Sequence, residues 1–207
     1  GGLDKQVGIE CQVYTSENNS WLFEFPSLPK GRFNSVCFVY RDSLYVFGGT
    51  DNSSNMNEIV RYDLSTQNSG EWTTIAKVNE ANQRGGVAFV VEDKVYAGLG
   101  EKSNGIRNGF YVSSDSLTKW ELIPSIPAQL GVISSGVYDE QKKSFFMIDN
   151  DGKIWEYNLT TEQWTSRSLW IRMKNYHMFM LDGSIYILGQ DIYQKNKFTV
   201  YNPIWDN

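Results

Sequence analysis

The chain is short of the residues on which most site chemistry rests. It has one histidine, His177, and two cysteines, Cys11 and Cys37, among 207 residues. One histidine cannot assemble a multi-histidine metal centre, and two cysteines make neither a zinc cluster nor a disulfide framework. No cofactor and no metal are expected. A positive surplus is missing too: 19 basic side chains face 24 acidic ones, a net charge of −5. Phosphate neutralisation demands a basic stripe, so nucleic acid is not an expected partner. No run of about 18 apolar residues occurs, so no helical membrane span is expected. Gly1-Gly2-Leu3-Asp4-Lys5 has no signal-peptide core. Helical periodicity is also absent.

Aromatics, by contrast, are plentiful: 7 Trp, 12 Tyr and 11 Phe, 14% of the chain. Flat rings suit a pleated surface, so β structure is favoured. The stretch "SLYVFGGTDNSSNMNEIVRYDLSTQNSGEWTTI", residues 43–75, has an apolar run ending in two glycines, a polar loop, Tyr62 and then Trp72. The pattern recurs. Tyr62 has counterparts at Tyr14, Tyr111, Tyr157 and Tyr201; Trp72 has them at Trp21, Trp120, Trp164 and Trp205. Spacings lie between 41 and 51 residues. Two aromatic ladders sharing one period mark a repeat of one supersecondary unit.

Each unit reads as four strands. Apolar runs pair across short turns: Ser35–Tyr40 with Leu44–Gly49, Gly86–Val91 with Val95–Gly100, Ser134–Tyr138 with Phe145–Ile148, and Tyr176–Leu181 with Ile185–Gly189. A strand carrying the Tyr and a strand at the Trp follow. Such a sheet cannot bury both faces alone, whereas radial stacking buries them against each other. The expected fold is therefore all-β, a β-propeller of four-stranded antiparallel blades in one domain, 1–207. Whole blades are expected at 31–75, 84–123 and 130–168, with partial blades at 10–25 and 174–207, so four to five blades are represented. Two arrangements stay open: a small ring whose ends share a blade, or a portion of a larger propeller. A smaller echo joins the units: Trp21 is followed by Pro26-Ser27-Leu28-Pro29, and Trp120 by Pro124-Ser125-Ile126-Pro127.

The paired glycines, Tyr and Trp of residues 43–75 resemble the kelch repeat. The likeness is strongest at Gly48-Gly49 and fades through Gly98-Leu99-Gly100, Ile148-Asp149 and Gly189-Gln190. "SSDSLTKW", Ser113 to Trp120, partly resembles the Asp-box of sialidase-like propellers: Ser113, Asp115 and Trp120 fit, Leu117 and Lys119 do not. The box is a structural turn in that family and implies no catalysis. The kelch copper oxidases need two histidines, which this chain lacks.

In a propeller the loops between the second and third strands, and those between blades, emerge on one face. That face collects Arg32, Arg84, Glu101, Arg107, Arg172 and Asp191 as candidate binding residues, with Asp51 beside them. The mixed charge suits a sugar, a small anion or a peptide. No residue is singled out as catalytic. Asp149–Gly152 is read as a tight hairpin, since Thr160 stands where a calcium loop needs Glu. Cys37 and His177 are read as packed side chains. The kelch resemblance implies a non-catalytic binding module for a glycan or a protein. It leaves two alternatives: a sugar-active enzyme similar to kelch-type sialic acid mutarotases, with Glu101 and Arg84 or Arg107 as its working pair, or a structural part of a longer exported protein. By association with similar chains it points to an exported bacterial protein.

Overall fold

A computed structural model describes residues 7–66, 69–105, 109–114, 116–126, 133, 135–149, 152–170, 174–191 and 193–202. They form five antiparallel sheets in sequence order. A hairpin of β1 (Cys11–Thr15) and β2 (Ser20–Phe25) comes first. The first four-stranded sheet holds β3 (Val36–Tyr40), β4 (Ser43–Phe47), β5 (Glu58–Asp63) and β6 (Thr73–Lys77). The second holds β7 (Val87–Val91), β8 (Lys94–Gly98), β9 (Phe110–Ser113) and β10 (Glu121–Leu122). The third holds β11 (Ser135–Asp139), β12 (Ser144–Ile148), β13 (Lys153–Asn158) and β14 (Gln163–Trp170). The last has β15 (Lys174–Leu181), β16 (Ser184–Gln190) and β17 (Asn196–Tyr201).

In each sheet the strands follow chain order from the inside outward. The innermost strands β3, β7, β11 and β15 touch one another in succession. The sheets therefore radiate from a shared centre as propeller blades, as the repeat predicts. The hairpins have the local chemistry that a tight return needs. Arg41 and Asp42 both take positive φ, 45° and 55°, between Tyr40 and its partner Ser43. That is the primed turn whose twist matches the strands it joins.

Apolar clusters fill the spaces between neighbouring blades. Phe38, Phe47 and Ile59 meet Val95, Ala97 and Leu117 between the first and second. Phe89 and Phe110 meet Phe145 and Tyr157 between the second and third, with Phe89 and Phe145 stacked at 4.4 Å. Phe146, Ile148 and Ile154 meet Ile185, Ile187 and Tyr201 between the third and last. Successive residues of β8 and β12 thus feed clusters on opposite faces, as a strand buried on both sides requires.

The Pro-Ser motifs turn out to be clasps between units. Trp72 Nε1 donates to Pro26 O at 2.9 Å, and Trp164 Nε1 to Pro124 O. Leu28 and Ile126, the apolar residues of the two motifs, are buried beneath them. Trp120 departs from this and bonds its own turn at Leu117 O, 2.9 Å. Leu117 takes a φ of +60°, a left-handed backbone that favours glycine, yet its side chain is fully packed between blades. Asp115 and Trp205 lie outside the described residues.

One rung of the Tyr ladder is displaced. Tyr62 pairs with Leu44, Tyr157 with Phe145 and Tyr201 with Ile185, each one residue past the start of the second strand's ladder. In the second blade that register belongs to Ser113, opposite Val95, while Tyr111 pairs with Ala97. Tyr111 sits one pleat nearer the loops and takes a hydrogen bond from Lys102 Nζ at 3.0 Å.

Two side chains expected to be packed are exposed. Cys37 faces outward from β3, and His177 from β15. Both belong to faces at the two ends of the blade array, where no further four-stranded sheet lies over them among the described residues. The Asp149 turn is a hairpin: Gly152 N donates to Asp149 O at 2.8 Å, and the Asp149 carboxylate accepts from Lys153 N and Trp155 Nε1.

Candidate functional site

The glycines of the best repeat shape one wall of the loop face. A Cβ on Gly48 would lie 2.5 Å from Ala81 O and 2.7 Å from Gln83 O. The chain can pass there only because that atom is missing. Gly49 N then donates to Gln83 O at 2.8 Å, which ties the end of β4 to the segment entering the next blade. At the same level two pairs of loops meet: Phe33 bridges to Thr50, and Arg84 to Glu101. The loops after the second strands and the loops between blades therefore lie side by side.

Thr50, Asn52–Asn55, Arg84, Glu101–Ser103 and Gly105 enclose a polar concavity of about 360 Å³ between the first and second blades. Arg84 and Glu101 are joined twice. Their backbones exchange hydrogen bonds at 3.0 and 2.8 Å, and the Arg84 Nε and Nη2 both donate to Glu101 Oε2, at 3.0 and 2.8 Å. Arg84 is half exposed, so the fork stands at the mouth. Asn55 Nδ2 donates to Glu101 O at 2.8 Å and links the two blades' loops.

The loop following Gly49 is built around Asp51. Its Oδ1 accepts from Ser53 N, Ser53 Oγ and Ser54 N at 3.0, 2.6 and 3.0 Å, and Lys30 Nζ reaches Oδ2 at 2.7 Å. Lys30 and these donors hold the Asp51 carboxyl far below the usual carboxylate range. Gln83 is buried behind the mouth. Its Oε1 accepts from Gly100 N at 3.2 Å, and its Nε2 has no hydrogen-bond partner among the described residues.

The predicted site residues separate into three groups. Arg84 and Glu101 come together. Arg32 does not join them; it is 1% exposed, and its guanidinium donates to Lys30 O, Gly48 O and Glu58 Oε2. Burial pulls its pKa down against the opposing pull of Glu58. It braces the loop from below and does not line the mouth. Asp191 stands in the last blade's loop, where its Oδ1 accepts from Tyr193 N and Lys195 N at 2.9 Å. That carboxylate organises its own turn. Arg107 and Arg172 lie outside the described residues. Asn55, Gln83, Lys102 and Ser103 were not singled out in the sequence, because an uncharged or lone basic residue in a long polar loop carries no distinguishing pattern.

Comparison with known proteins agrees with this architecture. The family model described as Kelch motif matches residues 31–79, the first four-stranded blade and its approach. The solved structure of YjhT superposes with a TM-score of 0.76 at 15% identity, covering 95% of this chain and 76% of that one. Among curated protein sequences nothing matches.

Proposed function

From a chain that carries a kelch repeat and folds as a β-propeller, we propose a non-catalytic binding module that takes its ligand at the polar mouth between the first and second blades. The ligand class is a polyhydroxylated or carboxylate-bearing glycan. The observation that carries this reading is the Arg84–Glu101 fork, presented beside Asn55 and Ser103 in a concavity of about 360 Å³. A paired Arg and carboxylate offers donors and acceptors in one plane, which matches vicinal hydroxyls or an anionic group better than it matches an apolar ligand. The size lies within the range of small-ligand clefts. A protein partner is the competing reading, since loops from several blades reach the same face.

A glycan array and an immobilised peptide library, probed with the labelled chain, test the proposal. Binding of an acidic or neutral glycan is expected, with loss of at least tenfold in affinity for Arg84→Ala. The pair is partly solvated, so breaking it costs the fold no more than about 1 kcal/mol. Lost affinity would then report contact and not unfolding. Unchanged glycan binding in Arg84→Ala, or binding of peptides alone, overturns the glycan reading. Chemical turnover of a bound sugar that Glu101→Gln abolishes would replace it with the enzyme reading.

A further inference from the structure

We infer that Cys11 and Cys37 form a dithiol site that a low-molecular-weight disulfide converts into one internal bond, fastening the β1–β2 hairpin to the innermost strand of the first four-stranded blade. They are the two cysteines of the chain, 26 residues apart. Cys11 is half-buried, Cys37 is exposed, and both are free thiols. The strand registers bring them to one place. β3 turns Val36, Phe38 and Tyr40 into the cluster shared with the second blade, so Cys37 points to the opposite face. Val46 lies across the ladder from Cys37, and side chains so placed have Cβ atoms about 5 Å apart. Cys11 packs from the hairpin against the cluster that Val46 forms with Leu28 and Val60. One cluster thus has a cysteine on each flank, and both cysteines line the same cavity of about 620 Å³.

The seating of the hairpin leaves that cavity open. Phe25 lies on Tyr62 of β5 at 4.6 Å, and Pro26 O accepts the indole bond of Trp72, next to β6. Both ties are to the outer strands. On the inner side the cavity has Cys37, Leu44 and Val46 on its blade wall, with Glu10, Cys11 and Gln12 on its hairpin wall. A disulfide joins Cα atoms about 4.4–6.8 Å apart, so its formation draws the hairpin in across the cavity and supplies an inner tie. Cys11 has little to give up: its Sγ makes a long contact of 3.9 Å to Ile9 O.

The chemistry is two successive thiol–disulfide exchanges. Cys37, the more accessible thiol, loses its proton, and its thiolate attacks one sulfur of the small disulfide. That S–S bond breaks, and the first small thiolate leaves and is protonated. The Cys11 thiolate then attacks the Cys37 sulfur of the mixed disulfide, and the second small thiolate leaves and is protonated. Two electrons and two protons pass from the protein thiols to the small disulfide. Lost hydration pushes both protein thiols above their ordinary range; Cys37 opens to solvent, yet the surrounding walls crowd it, and the nearby Arg32 opposes the effect only in part. The reaction therefore quickens as pH rises through that raised range.

The test incubates the reduced chain with oxidised glutathione in mildly alkaline buffer. Intact mass and non-reducing peptide mapping are expected to show the loss of two hydrogens, no retained glutathione, and one peptide pair joining Cys11 to Cys37. Cys11→Ser is expected to stop at a mixed disulfide on Cys37. Oxidation of the wild-type chain should slow amide exchange across β1 at least about tenfold and raise Tm by at least about 4 °C. The effective concentration of one thiol at the other, read from glutathione buffers, should be at least about tenfold higher in the native chain than in urea. Equal values mean that the fold does not bring the thiols together, and they overturn the inference. Stable glutathione on both cysteines with no internal bond overturns it too, as does a bond between two chains in place of the internal one.

Discussion

Arg32→Ala separates a brace from a ligand contact. The guanidinium is 1% exposed and has three acceptors: Lys30 O at 3.4 Å, Gly48 O at 3.1 Å and Glu58 Oε2 at 3.2 Å. Removing it strands a carbonyl at the glycine pair and leaves a carboxylate short of its buried partner. Loss of one partner from a fully buried pair costs about 3–5 kcal/mol. Glu58, however, is 23% exposed and keeps Lys77 Nζ at 3.5 Å, so the lower end applies, about 3 kcal/mol. For a chain of this length that is a Tm drop of roughly 6–12 °C. Thermal unfolding followed by near-ultraviolet circular dichroism reads it, with urea denaturation as a second route. Arg32→Met with Glu58→Gln should recover part of the loss, because neither partner is then left charged and alone. A Tm within 2 °C of wild type for Arg32→Ala would refute the bracing role.

Further outcomes follow from other contacts. The Asp51 carboxyl is lowered by Lys30 and by its serine donors, so the loop stability it contributes is present above the unfolded value of about 3.9 and is lost as pH falls through the lower folded value; an NMR titration of the Ser53 and Ser54 amides should show a midpoint well below 3.9, and a midpoint near 3.9 contradicts it. Trp72→Phe removes the indole bond to Pro26 O and should cost about 1 kcal/mol, a Tm drop of about 2–4 °C. Trp21→Phe, at a residue 57% exposed, should stay within 1 °C; equal effects would dismiss the clasp. Leu117→Ala opens a hole between the first and second blades and should cost about 2–5 kcal/mol in urea unfolding, and a loss under 1 kcal/mol would mean that the turn, not the side chain, holds the interface.

The blades were legible because each begins with the same local grammar, an apolar run, a tight polar turn and a second apolar run. What the spacing could not carry was register. Tyr111 stands 49 residues after Tyr62 and looks equivalent, but Ser113 occupies the matching rung opposite Val95. A two-residue difference is smaller than the variation among loop lengths. Burial at the ends of the array was likewise hidden. Alternation in β3 and β15 marks two faces and cannot tell which is covered, so Cys37 and His177 read as packed and stand exposed. The arginines of the connecting loops posed the same problem at the site. Arg32 and Arg84 look interchangeable in sequence, and only the proximity of Glu58 and Gly48 draws one inward while Glu101 holds the other at the mouth.

The most direct test of the loop-face account is an amide hydrogen-exchange footprint of the chain saturated with the tightest glycan found on the array. Slowed exchange confined to residues 50–55 and 101–105 is the result the account predicts. Protection centred on the opposite hairpin tips, Arg41-Asp42 and Glu92-Asp93, with these loops unchanged, would contradict it.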